Sequence, residues 1–401
     1  MPILTNYQQF AGQHWETGTI RNYYAHRGVK APHTGQPYSE ALLLGVSGGI
    51  VMGYFSFAYE GYPPHVALLT RNTFDPWDTL LARLGVEQTR LQTSKPDKAI
   101  TNLTETLAEG LPAIVWVDMF SLPYNVVPNE EPMWAMFPIL VYGYDETADT
   151  VWIADRAQVP LNVTTAELAA ARARVKDVKF RILTLDQPDP DKLVPAVQKG
   201  IWDCIKLFSE APPKGSKNNF GFAAYKWWAD LLTKPKQRLS WEREFPAGAK
   251  LFAGLTSTVD RFGSVGIRGD AERRLYADFL DEASLALNKP DLKAVAQQFR
   301  QSAQAWEKLT TVLLPDEAPL FKETRELLAC QRQLFRQQGG AARAELEGIR
   351  ARLATINQAV AADFPLNAAE VSTLRENIAA QVMQIHDIEL AAITALQEAM
   401  G

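Results

Sequence analysis

The residues able to do chemistry cluster in a few short stretches. His14, Glu16 and Thr17 surround Trp15 at the start of a predicted helix. A histidine there suits acid–base work or a substrate contact, and it also suits a simple cap. Glu16 complements the positive end of the helix dipole. Asp155 and Arg156 follow a predicted strand, and Tyr124 opens a long loop as a candidate substrate contact. Arg273 and Arg274 follow Gly266 and Gly269. Glycines before a helix can form an anion-binding start, and the same pattern fits a structural turn carrying surface arginines.

Several chemistries are excluded by type and spacing. The two cysteines are Cys204 and Cys330, so the first half of the chain holds no thiol, and no histidine lies between His65 and His386. Five scattered histidines and two lone cysteines give no metal-ligand spacing, and no cofactor is implied. Ser47, in Gly-Val-Ser-Gly-Gly, lacks the Gly-x-Ser-x-Gly spacing of a nucleophile elbow. No Lys-Ser or Lys-Thr follows those glycines, so they are not a phosphate loop.

The elements that must position these residues read in two parts. A helix is expected from about His14 to His26, with Trp15, Thr19, Ile20, Tyr23 and Tyr24 on one face. Ser39 caps a short helix closed by Gly45, and Gly48 and Gly49 turn the chain into a strand over 50–59. Strands follow at 66–70, 87–91, 113–117, 137–144, 150–154 and 178–185, with helices from Pro76, over 95–109 and behind a capping box of Thr164 and Glu167. After the proline-rich 186–192 the pattern becomes helical, with eight helices expected between 192 and 399. The expected architecture is thus mixed α/β over 1–185 and a helical domain over 192–401.

The composition is that of a globular protein, with 47% hydrophobic and 22% charged residues among 401. A formal net charge of −5 argues against general nucleic-acid binding. No apolar run reaches the ~18 residues of a membrane span, and the first residues lack a signal-peptide pattern. With no disulfide framework, a cytoplasmic location is the expectation.

The stretch 12–55 resembles the N-terminal domain of the butirosin biosynthesis protein H family, which are papain-like acyltransferases and their relatives. The resemblance rests on His14, Trp15, Glu16 and Thr17, then Ser39 and Glu40, then Gly45, Gly48 and Gly49. A second island, with Gly266, Gly269, Arg273, Arg274, Tyr276, Phe279, Leu280, Glu282 and Ala283, resembles the domain that follows it in that family. The resemblance implies a papain-like fold and places the family's nucleophilic cysteine on Trp15. Its histidine, eight residues before the aspartate of Gly143-Tyr144-Asp145, falls on Phe137, and its orienting acid is retained as Asp155. Gln8, Gln9 and Gln13 precede the helix, where such enzymes place an oxyanion donor.

An indole offers no nucleophile and a phenyl ring no base. Trp15, Phe137 and Asp155 should therefore meet at one cleft, with Asp155 paired to Arg156, a backbone N–H or a tyrosine hydroxyl. The resemblance implies a disarmed binding or partner module of natural-product biosynthesis, or alternatively an amide-forming acyltransferase working without a cysteine nucleophile. Implied partners are an acyl carrier protein or an active, cysteine-bearing paralogue, with an amine or acyl ligand. A homodimer is also allowed.

Overall fold

The computed structural model describes residues 2–127, 135–212, 216–264 and 269–401. In chain order the elements are helix α1 (Trp15–His26), α2 (Glu40–Val46), strands β1 (Ile50–Phe57) and β2 (His65–Arg71), α3 (Pro76–Arg83), β3 (Gln88–Leu91), α4 (Pro96–Ala108), β4 (Ala113–Asp118), β5 (Met136–Asp145), β6 (Thr150–Ala154), β7 (Leu161–Val163), α5 (Thr165–Arg174) and β8 (Ile182–Leu185). Helices follow as α6 (Leu193–Ser209), α7 (Gly221–Thr233), α8 (Trp241–Glu244), α9 (Ala249–Ser264), α10 (Arg273–Ala286), α11 (Leu292–Leu313), α12 (Pro319–Gln338), α13 (Arg343–Ala362) and α14 (Ala368–Met400). Among the described residues no strand follows β8, in keeping with the change of patterning near residue 186. No described helix is long and apolar enough to cross a membrane.

The chain forms two compact units, neither continuous in sequence. The first comprises Met1–Leu43, Leu81–Leu193 and Gln333–Gly348; the second comprises Leu44–Leu80, Val194–Arg332 and Ile349–Gly401.

The first unit is built on a six-stranded antiparallel sheet in the order β3-β8-β4-β5-β6-β7. β4 is buried along its whole length, as expected of a central strand. Helix α1 packs against β5, and Thr19 of α1 donates to the Pro138 carbonyl. Thr164 and Glu167 form the expected capping box of α5. One strand boundary is corrected and one strand was not expected. The last strand begins at 182 rather than 178, because Lys179 and Phe180 adopt left-handed backbone (φ 46° and 49°) that ends any extended run before it. The short strand β7 has only three residues, too few to show a period.

The second unit contains the β1–β2 hairpin and most of the helices. Gly48 (φ 110°) and Gly49 (φ 73°) make the expected turn into β1. Gly45 does not end α2, which runs one residue further; it serves close packing instead. A Cβ there would lie 2.2 Å from the Phe279 ring, and one at Gly200 of α6 would lie 2.1 Å from the Gly45 carbonyl oxygen. The buried centre of this unit is ionic. Arg273 and Glu389, both with 0% side-chain exposure, pair at 2.7 Å. Tyr225, Ser302 and Trp306 also donate to that carboxylate. Buried charge survives only with such complete pairing.

Candidate functional site

The candidate site lies in the first unit at the start of α1. His14 is the N-cap, its Nδ1 accepting from the Glu16 N–H at 3.2 Å, so the expected capping role is the one its side chain fills. Glu16 occupies the first turn of the helix. The chain before α1 is fixed by Glu40, whose carboxylate is 7% exposed. It accepts the backbone N–H of Gln13 (2.7 Å), the N–H of His14 (2.9 Å) and the Thr17 hydroxyl (3.0 Å). Gly12 and Gly18 touch backbone to backbone: a Cβ on Gly12 would lie 2.5 Å from the Gly18 carbonyl oxygen. The loop is thus pinned to the helix with Trp15 as its first residue.

Trp15 stacks on Phe137 of β5, with ring centroids 4.0 Å apart and planes 17° from parallel. The Arg156 guanidinium lies 4.3 Å from the Trp15 ring centroid and 4.9 Å from that of Phe335. Arg156 holds Asp155 through Nε to Oδ1 and Nη2 to Oδ2, both at 3.2 Å, and also bonds the Asn125 side chain. The Tyr124 hydroxyl donates to Asp155 Oδ2 at 3.3 Å. Burial, and then the neighbouring Asp155 charge, push the Tyr124 hydroxyl well above its ordinary pKa, so it stays a proton donor at any physiological pH.

The structure therefore brings together Trp15, Phe137, Asp155 and Tyr124, with His14 beside Trp15 at 5.8 Å between ring centroids. Of the three partner types expected of it, Asp155 takes an arginine and a tyrosine hydroxyl. Phe335 and Asn125 were not legible as site residues. Phe335 comes from the segment 333–348, which joins this unit 180 residues later in the chain than Asp155. Asn125 ends a single 3-10 turn, Pro123–Asn125, too short to show a period.

Arg273 and Arg274 belong to the second unit, and for Arg273 the substrate-binding expectation is corrected. Its N–H groups are engaged by Glu389, the Thr70, Ala271 and Val51 carbonyls and the Tyr225 hydroxyl, so no donor remains for a ligand. Arg274 is partly exposed and pairs with Glu307 at 2.9 Å and Asp270 at 3.7 Å. Gly266 lies outside the described residues. Gly269 (φ 74°) makes a turn before α10.

Residues 14–156 match the family model described as Butirosin biosynthesis protein H, N-terminal. The N-terminal region is thus a domain like that of the family. Residues 166–320 match a second model, Domain of unknown function (DUF4872), so the family domain is followed by a largely helical region of a recognised type. No curated protein matches the chain. The butirosin biosynthesis protein H match opens at His14 and closes at Arg156, and so encloses Trp15, Tyr124, Phe137 and Asp155.

Proposed function

We propose that the first unit is a papain-like domain with closed catalytic positions, serving as a binding or partner module in natural-product biosynthesis. The observation that carries this reading is the stack of Trp15 on Phe137, with Arg156 against Trp15 and bonded to Asp155. A thiol enzyme needs a thiolate, a base that gives and takes a proton, and an acid that orients the base. Here the first two positions hold an indole and a phenyl ring. The carboxylate already faces a guanidinium, whose planar fork of donors holds both of its oxygens. Arg156 thus supplies the charge that an imidazolium would carry and none of its proton transfer. An antiparallel sheet with α1 packed on β5 supports the papain-like assignment. The family's printed name supports a place in butirosin-type biosynthesis. The bound species of this proposal is an acyl carrier protein, an intact paralogue or a small amine or acyl ligand.

The test is incubation of the full chain with an acyl N-acetylcysteamine thioester and an amine, followed by mass spectrometry. The expected result is no amide and no acyl adduct on the protein, unchanged by iodoacetamide. Amide formation by the wild type would overturn the reading in favour of acyl transfer without a cysteine nucleophile.

A further inference from the structure

Helices α4 and α5 of the first unit flank a groove of about 270 Å³. Its lining is mostly apolar, with Ala99, Ile100, Leu103, Leu168, Ala169 and Phe180 among the residues that form it. The size is just below the roughly 300–1,000 Å³ usual for drug-sized ligands. Arg172 of α5 also lines it and is only 4% exposed.

The state of Arg172 is unusual. One terminal nitrogen donates to the Phe180 carbonyl at 2.7 Å, while Nε is buried without a partner. No carboxylate among the described residues forms an ion pair with it. Burial lowers its pKa to about 10, with Tyr144 opposing the shift. Thr165, another polar residue of the lining, is already committed: its hydroxyl donates to Asp149 at 2.6 Å. The Phe180 carbonyl is presented by backbone in the left-handed region at both Lys179 and Phe180, a conformation costly for residues with side chains. A buried guanidinium lacking an anion is expensive unless something supplies one. The same groove offers apolar surface for a chain of carbons.

We infer that this groove binds a medium-chain carboxylate, with its hydrocarbon along α4 and α5 and its carboxylate on the Arg172 guanidinium. Neutral and cationic amphiphiles of equal length gain the apolar contact without the ion pair. The inference is independent of the closed cleft at Trp15, since none of its lining residues takes part there.

Calorimetric titration of the full chain with octanoate, octanol and octylamine tests it. Octanoate should bind at least about tenfold more tightly than octanol, the least expected for one charge-assisted pair, and octylamine should bind no better than octanol. Arg172→Gln should bring the octanoate-to-octanol ratio close to one. Ala169→Trp, on the exposed side of α5, should abolish binding of both while leaving the circular dichroism spectrum unchanged. Equal affinity of the wild type for octanoate and octanol overturns the inference. So does an absence of octanoate binding at millimolar concentration, or tight binding that survives Ala169→Trp. Should Arg172→Gln fail to fold, the wild-type ratio and the Ala169→Trp result still decide.

Discussion

The Arg156 guanidinium and the Trp15 indole lie 4.3 Å apart, centre to ring, at the first residue of helix α1. A cation over an indole face is attracted by the ring quadrupole, worth up to about 2 kcal/mol where water is excluded. The pairing draws Arg156 onto the helix start while its other side holds Asp155. Trp15 therefore does more than fill space: it helps keep the carboxylate occupied.

That arrangement sets a condition on rebuilding a thiol enzyme here. Trp15→Cys alone and Phe137→His alone should stay inert towards a simple thioester. The double variant has nucleophile and base, but its aspartate still faces Arg156. Adding Arg156→Gln should free Asp155 to orient the new histidine and raise the hydrolysis rate about tenfold or more, a fraction of the ~10²–10⁴-fold that positioned acid–base groups supply. An inert triple variant with an unchanged circular dichroism spectrum would refute the assignment of these three positions.

Glu40 should be worth several kcal/mol to the first unit. Glu40→Ala leaves two backbone N–H groups and the Thr17 hydroxyl without their acceptor. Charge-assisted bonds contribute ~1.5–3 kcal/mol each, so a loss of about 3 kcal/mol in urea unfolding is expected. A loss under about 0.5 kcal/mol, typical of a surface change, would show that the loop before α1 is held by other means.

The buried pair of the second unit predicts a pH dependence. Burial raises the pKa of Glu389, but the Arg273 charge and the bonds from Arg273, Ser302 and Tyr225 outweigh it, so the net shift is downward. A carboxylate with a depressed folded pKa gives stability that is complete above its unfolded value, about 4.3, and lost as pH falls through the folded value. Glu389→Gln should therefore cost about 3–5 kcal/mol at pH 7 and progressively less below pH ~4. Equal costs at pH 7 and pH 3 would contradict the linkage.

The contact of Gly200 with Gly45 makes a sharper steric claim. Gly200→Ala places a methyl 2.1 Å from a carbonyl oxygen, which demands movement of backbone rather than of a side chain. A loss of about 2 kcal/mol or more is expected, at the upper end for overpacking. Gly110→Ala serves as a control for the method, since a Cβ there has open space; its cost should come only from its φ of 80°.

The sequence was legible wherever one residue type has one physical use. The capping box of Thr164 and Glu167, the turn glycines Gly48 and Gly49, and the long helices after residue 192 were readable from local pattern, whereas the four-residue α8 (Trp241–Glu244) is too short to show a period. So was the meeting of Trp15, Phe137 and Asp155, once the resemblance set the register. Illegible were the features made by distant parts of the chain. Arg273 looks like a surface ligand in its glycine-rich setting, and only the arrival of Glu389 from α14 makes it internal. Gly45 looks like a helix stop, and only the Phe279 ring and Gly200 show that it is a contact. Lys179 and Phe180 carry no turn residue to announce their left-handed backbone.

The segment 333–348 has a further consequence, one of chain order. Phe335 lies beside Arg156 and Tyr124, and Ala342 and Leu346 form a buried cluster with Val126. On the ribosome the first unit must wait for these residues, which emerge only after most of the second unit has been made. A fragment cut at residue 192 ends before they are synthesised. It would expose the guanidinium face and the Val126 cluster to water, and it should report a molten, dye-binding state rather than the native first unit. Supplying 333–348 as a separate peptide would then act as a missing part, restoring a cooperative unfolding transition.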